Sequence, residues 1–188
     1  MGANASDRVK FAPMTPKALT VCAALTLCAC AHPLPPHWAE GGAPLELKAA
    51  HWDRNDDDPV DIDPQGRVLE GGTLRFQLDR TGRITDDEGD PVAILFPEGD
   101  VVGPANQYFG RVGVANAAPP HANTAWVAVL PDGGVMRFAD DGERIPDGRW
   151  IGCEGAMHRT CTLISHVMLL RHYHHPRPRI GIGVMVAY

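Results

Sequence analysis

The sequence predicts a mainly β fold: a small antiparallel sheet or sandwich-like domain built from hairpins with Asp/Gly turns, with little helix outside an N-terminal leader. Three observations predict it. Short runs that alternate apolar with polar residues recur beyond residue 44, and Gly, Pro and Asp separate them. One turn pattern also returns at a spacing of sixteen, as "DPQGRV" (63–68) and "DRTGRI" (79–84). Alternation with period two sets one face of a strand on a core and the other in water, which is what antiparallel hairpins require.

The leader comes first. Arg8, Lys10 and Lys17 make it basic, against Asp7 alone, and residues 18–29 ("ALTVCAALTLCA") carry no charge. That length suits the apolar region of a signal peptide, roughly 7–15 residues, and falls short of the about 20 a spanning helix needs. The stretch ends in Leu27-Cys28-Ala29-Cys30. This segment resembles the lipobox of bacterial lipoproteins, a leucine three residues before an obligatory cysteine with small residues between. The resemblance covers about the first thirty residues. It implies that Cys30 receives a diacylglyceryl group, that residues 1–29 are removed, and that the new amino terminus is acylated with a chain such as palmitate. Cys28 fits less well, because Leu27 would then occupy the small-residue position at the cut. Such a chain would have a membrane as its first partner, held through Cys30, in the bacterial cell envelope. Each buried methylene contributes about 0.8 kcal/mol, so two or more acyl chains anchor firmly.

Residues 30–44 ("CAHPLPPHWAEGGAP") are rich in Pro and Gly and read as a semi-stiff tether. Residues 45–188 then form one β-rich domain. Its expected strands include "LELKA" (45–49), "TLRFQL" (73–78), "PVAILF" (91–96), "YFGRVGVA" (108–115), "TAWVAVL" (124–130) and "VMRFA" (135–139). Asp132-Gly133-Gly134 is the best hairpin turn, since glycine accepts the positive φ of a tight reversal. In the sixteen-residue pattern, aspartate bonds its own turn backbone and glycine takes the left-handed position. "LRFQLDRTGRITDDEG" (74–89) is echoed again by "MRFADDGERIPDG" (136–148), which suggests repeated hairpins. These turns resemble segments of uncharacterised bacterial envelope proteins, a likeness that implies no activity. "TCTLISHVMLLRHYHH" (160–175) fits a strand through Thr162, Ile164, Val167 and Tyr173, and a helix through Leu163, Val167, Leu170 and His174. The strand is the expectation, forming a hairpin with "IGIGVMVAY" (180–188).

Charge excludes one class of function. The chain from Cys30 onward carries −8, whereas a nucleic-acid binder typically shows a basic face. The charge is uneven: residues 30–148 sum to −12 and residues 149–188 to +4. Two cysteines remain beyond Cys30, Cys153 and Cys161, and an even pair in an exported chain reads as a disulfide. Closing so short a loop stabilises by about 2.5 kcal/mol.

Two clusters could carry metal chemistry. His158, His166, His172 and His174 fall within one short stretch and are the candidate ligands for zinc or copper, which needs imidazoles converging from separate segments. Asp56, Asp58, Asp61 and Asp63 could form a loose calcium site, although the EF-hand pattern fails where Gly72 stands in place of the bidentate glutamate. No nucleophile elbow, zincin, Walker or dinucleotide-loop pattern occurs. Ser165 and His166 are adjacent, and on a strand they would point to opposite faces. The sequence therefore reads as a lipid-anchored, non-enzymatic binding or structural protein with no cofactor, whose further partner would be an envelope protein or polysaccharide. A metal-handling module is the rival, and an unrecognised hydrolase is more remote. A partner-binding surface predicts exposed rings among Tyr108, Trp126 and Trp150.

Overall fold

Period-two alternation places Trp52, Val60, Val68, Phe76, Ile84, Val112, Val127 and Trp150 on one continuous buried surface while their neighbours in each strand face outward. The computed structural model describes residues 33–174, the last three by their backbone alone. Twelve strands follow in order: β1 (Ala50–Asp53), β2 (Val60–Ile62), β3 (Arg67–Glu70), β4 (Thr73–Leu78), β5 (Arg83–Asp86) and β6 (Pro91–Leu95), then β7 (Asp100–Val102), β8 (Tyr108–Val112), β9 (Asn116–Ala118), β10 (Val127–Val129), β11 (Gly134–Phe138) and β12 (Arg144–Ile151). Helix α1 (Met157–His174) comes last. Every strand pairs antiparallel with the next, and β12 returns to β1 through Trp150 opposite Trp52, so the sheet closes into a barrel. The mainly β expectation holds. The sandwich-like arrangement does not, because closure leaves one sheet with no free edge.

The strand expected over residues 160–175 is also corrected. Residues 160–174 lie in α1, which runs through the barrel and fills it. Thr160 through Leu170 are all buried, on every face of the helix. A closed barrel offers no edge for another strand, and a helix about 10–12 Å across is what its interior must receive. The helix accommodates Thr162 through its hydroxyl, whose single proton is shared between the His158 carbonyl one turn back and the Val114 carbonyl of the wall, each at 2.9 Å. The glycine-aliphatic run 180–188 lies outside the described residues.

Because the strands alternate in direction, the turns alternate between two ends. The entry end, where α1 begins, carries the turns 63–66, 79–82, 96–99, 113–115 and 130–133. The exit end, where α1 leaves, carries 54–59, 71–72, 86–90, 103–107, 119–126 and 139–143. The entry end repeats one backbone device. Carbonyls of Gly66, Gly82, Gly99, Ala115 and Gly133 accept the N–H of Leu78, Leu95, Val112, Val129 and Trp150 in the next hairpin, at 2.7–2.9 Å. The sixteen-residue echo is thus two copies of a fivefold pattern. Glycine is required at Gly66, where φ is +85° and an added Cβ would stand 2.1 Å from the Leu78 carbonyl oxygen.

The segment read as a tether is corrected in its described part. Residues 33–44 lie along the entry end, with Pro35 and Ala43 buried. Gly42 and Ala43 donate backbone N–H groups to Thr81 and Leu95, each at 2.7 Å, and Arg83 Nη1 donates to the Trp38 carbonyl at 3.1 Å. Residues 45–49 are not a paired strand; Leu45 and Leu47 are buried and pairing starts at Ala50.

Candidate functional site

The polar residues of α1 meet the barrel wall. His166 is fully buried between two strands: Trp126 Nε1 donates to its Nδ1 at 2.9 Å, and its Nε2 donates to the Phe109 carbonyl at 2.9 Å. Burial pushes its pKa down to about 4, against the pull of the Phe109 carbonyl, so the ring is neutral. Ser165 Oγ accepts from Trp150 Nε1 at 2.9 Å, toward a different part of the wall. Ser165 and His166 are therefore buried packing groups, bonded away from each other, and make no nucleophile–base pair. His158 Nε2 donates to the Val129 carbonyl at 2.8 Å, and Thr160 Oγ1 to that of Glu46 at 2.7 Å.

His158 and His166 are two helical turns apart on α1, and both ring nitrogens of His166 are already engaged by Trp126 and Phe109, so these two do not converge on one ion. The side chains of His172 and His174 lie outside the described residues. Among the described residues, no group of three or more His, Cys, Asp or Glu is placed to hold a metal. The four aspartates of the loose calcium site are dispersed by the fold. Asp56 and Asp58 sit in the exit-end loop, Asp61 accepts from His51 at 2.7 Å, and Asp63 is in an entry-end turn bound by Arg67. Cys153 and Cys161 form the expected disulfide, with Cα atoms 6.1 Å apart, and it ties the end of β12 to the second turn of α1. Cys30 lies outside the described residues.

The exit end gathers what the sequence did not reveal. Glu70, only 6% exposed, points inward from the end of β3. Arg75 Nε (3.1 Å) and Arg171 Nη1 (3.2 Å) meet its Oε2, and Arg54 Nη1 stands 3.6 Å from Oε1. Arg54 also lies over the Trp52 ring, 4.7 Å from its centroid, and bonds Asp57 at 2.6 Å. Trp52 Nε1 donates to the Asp147 carbonyl at 2.7 Å, and the buried Asp147 carboxylate lies 3.2 Å from Arg137. Burial raises the Asp147 pKa, while Arg137 and Arg54 oppose the rise. One signal was available for Glu70: in "RVLE" strict alternation sets it on the same face as Val68.

Beside this cluster is a cavity of about 370 Å³, walled by Phe76, Val92, Phe109, Val167 and Leu170, with Gln107 and Arg171 supplying its polar edge. Arg171 thus joins the charged network to an apolar hollow. No family model, curated protein or solved structure matches this chain. The site must be read from its own chemistry. An apolar hollow of this size with one guanidinium and one amide suits a small apolar or amphipathic molecule. Among the described residues its lining has no nucleophile and no convergent acid–base pair. Of the rings expected at a partner surface, Trp150 is buried, Trp126 is partly buried against the core, and Tyr108 is 36% exposed at the exit end.

Proposed function

We infer that this chain is a lipoprotein of the bacterial cell envelope, held to a membrane by acyl chains on Cys30, whose barrel has a non-enzymatic binding or structural role. The observation that carries this reading is Leu27-Cys28-Ala29-Cys30 at the close of an uncharged twelve-residue run behind a basic leader. A disulfide between Cys153 and Cys161 suits an oxidising compartment outside the cytosol. The negative charge argues against a nucleic-acid partner. The cavity beside Arg171, apolar with one guanidinium among its described lining, suits a small ligand; a further partner would be another envelope protein or a polysaccharide.

Mass spectrometry of the protein purified from its own host membranes tests the anchor. The expected chain starts at Cys30 and carries fatty acid, and Cys30→Ala moves the protein out of the membrane fraction. A mature chain that starts elsewhere, or lacks acyl groups, removes the reading.

A further inference from the structure

We propose that the entry end of the barrel is a membrane-docking face, laid against the lipid bilayer while the exit end points into water. The proposal rests on the acylation of Cys30 inferred above and adds an orientation to it. Three features of the two ends favour it.

The first is the reach of the chain. From His37 onward the chain follows the entry end, where the His37 ring packs edge-on against Phe96 at 6.1 Å and Gly42 and Ala43 bond to Thr81 and Leu95. His37 is seven steps along the chain from Cys30, and a fully extended chain covers at most about 3.6 Å per residue, roughly 25 Å in all. A lipid on Cys30 therefore cannot let the barrel stand far off the surface.

The second is apolar exposure. Five large apolar side chains are exposed among the described residues: Leu34, Tyr108, Val114, Leu130 and Ile151. Four of the five belong to the entry end, with Leu34 one residue before Pro35, Val114 and Leu130 in its turns, and Ile151 closing β12. Val114 also edges an open hollow of about 400 Å³ lined by Pro44, Leu45 and Ala156 together with the charged Glu46 and Arg159. Single exposed apolar residues are ordinary, but their concentration at one end, beside the anchor, marks a surface.

The third is charge. The exit-end turns 54–59, 86–90 and 139–143 hold ten carboxylates against one arginine, Arg54. At the entry end the turns hold four carboxylates, and three of them, Asp63, Asp79 and Asp132, are each bound by an arginine, namely Arg67, Arg83 and Arg149, with Glu98 the fourth. Anionic headgroups repel the first surface and tolerate the second, so the field of the barrel turns its entry end toward lipid.

The test uses the full lipidated chain in vesicles of phosphatidylethanolamine and phosphatidylglycerol. Single probe sites, Leu130→Cys or Ile151→Cys at one end and Asp87→Cys or Asp141→Cys at the other, carry an environment-sensitive fluorophore, and nitroxide-labelled lipid is the quencher. Quenching several-fold stronger at the entry-end sites is expected. It should fall toward the exit-end level when Val114→Ser/Ile151→Ser is added to the acylated, labelled Leu130→Cys chain, whose unfolding midpoint should stay within error of its Leu130→Cys parent because both added changes are at exposed side chains. Equal quenching at both ends, or stronger quenching at Asp87→Cys, in a chain shown by mass spectrometry to be acylated overturns the orientation and leaves the anchor intact. A chain without acyl groups overturns the anchor, and the orientation falls with it.

Discussion

The two ends of the barrel are held together by different physics. At the entry end the turns close on themselves through bonds that are short-range along the chain, while a few longer ones, from Gly42, Ala43 and Thr160, bring in the flanking segments. Asp63 accepts the N–H of Gln65 and Arg67 and the Arg67 guanidinium, and Asp79 does the same with Thr81 and Arg83. The next hairpin then closes on the turn through one backbone bond, five times around the ring. At the exit end the bonds cross long stretches of sequence. Glu70 meets Arg171 across 101 residues, and Trp52 meets Asp147 across 95. A turn that satisfies its own carboxylate can be repeated by copying sixteen or so residues. A buried carboxylate shared by three arginines exists only once all the strands and α1 have arrived.

The largest consequence falls on the exit end. Glu70→Ala would leave Arg54, Arg75 and Arg171 facing one another around an empty centre, and removing one partner of a buried ion pair costs about 3–5 kcal/mol. A urea titration should show the unfolding midpoint collapse with little change in slope. A second substitution, Arg171→Met, should recover part of the loss, because it removes one of the stranded charges. If Glu70→Ala costs no more than an ordinary surface change, the cluster does not hold the exit end together and the contrast between the ends is wrong.

The middle of the barrel gives a pH-dependent measurement. The pKa of His166 is about 4 in the folded chain and near its ordinary 6.5 when unfolded. The folded value is the lower one, so above pH 6.5 both states are neutral and its full contribution is present. As pH falls from 6.5 to about 4 the unfolded chain takes up a proton that the folded chain refuses, and stability drops by about 3 kcal/mol. Unfolding midpoints measured across that window should decline in the parent. They should decline less steeply in His166→Gln, which is weaker at neutral pH but has no proton to gain. A variant whose slope matches the parent would place the titrating group elsewhere.

The same contrast explains what could be read from the sequence. β4 was expected at residues 73–78 and found there, and the turn around Asp132-Gly133-Gly134 closes through Gly133 and Leu130 at 2.8 Å. Both depend on residues a few positions apart. The disulfide was legible for the same reason. Helix α1 was misread because it is buried on all sides: no polar face marks the helical period, and its Thr and Ile residues suggest a strand. Only the closed barrel around it decides the matter. Closure itself rests on Trp52 facing Trp150, their rings stacked at 5.4 Å, and nothing local announces a pair so far apart. His158 and His166 looked like ligands because histidines were close in sequence, but the barrel wall supplied carbonyl partners that a sequence does not display.

The smallest effect is expected where the structure is most repetitive. Asp79→Ala removes the acceptor for the N–H groups of Thr81 and Arg83, the Thr81 hydroxyl and the Arg83 guanidinium. All of these lie in a turn within reach of water, which can replace the lost acceptor, so the cost should be about 1 kcal/mol. Burial works to raise the Asp79 pKa, but the bonds from Arg83 and Thr81 outweigh it and leave the carboxyl below its usual 3.8. Its contribution is therefore present above that pH and lost as the pH falls through the lowered value. Asp79→Asn keeps one acceptor oxygen and loses the charge, so it should lie between the parent and the alanine variant. Gly82→Ala in the same turn should cost more than either aspartate change. It combines a φ of +77° with a Cβ 2.9–3.0 Å from the carbonyl oxygens of Ala43 and Leu95, strain that water cannot relieve. If the ranking reverses, with the carboxylate outweighing the glycine, then side-chain bonding rather than backbone fit is what the repeated turns preserve.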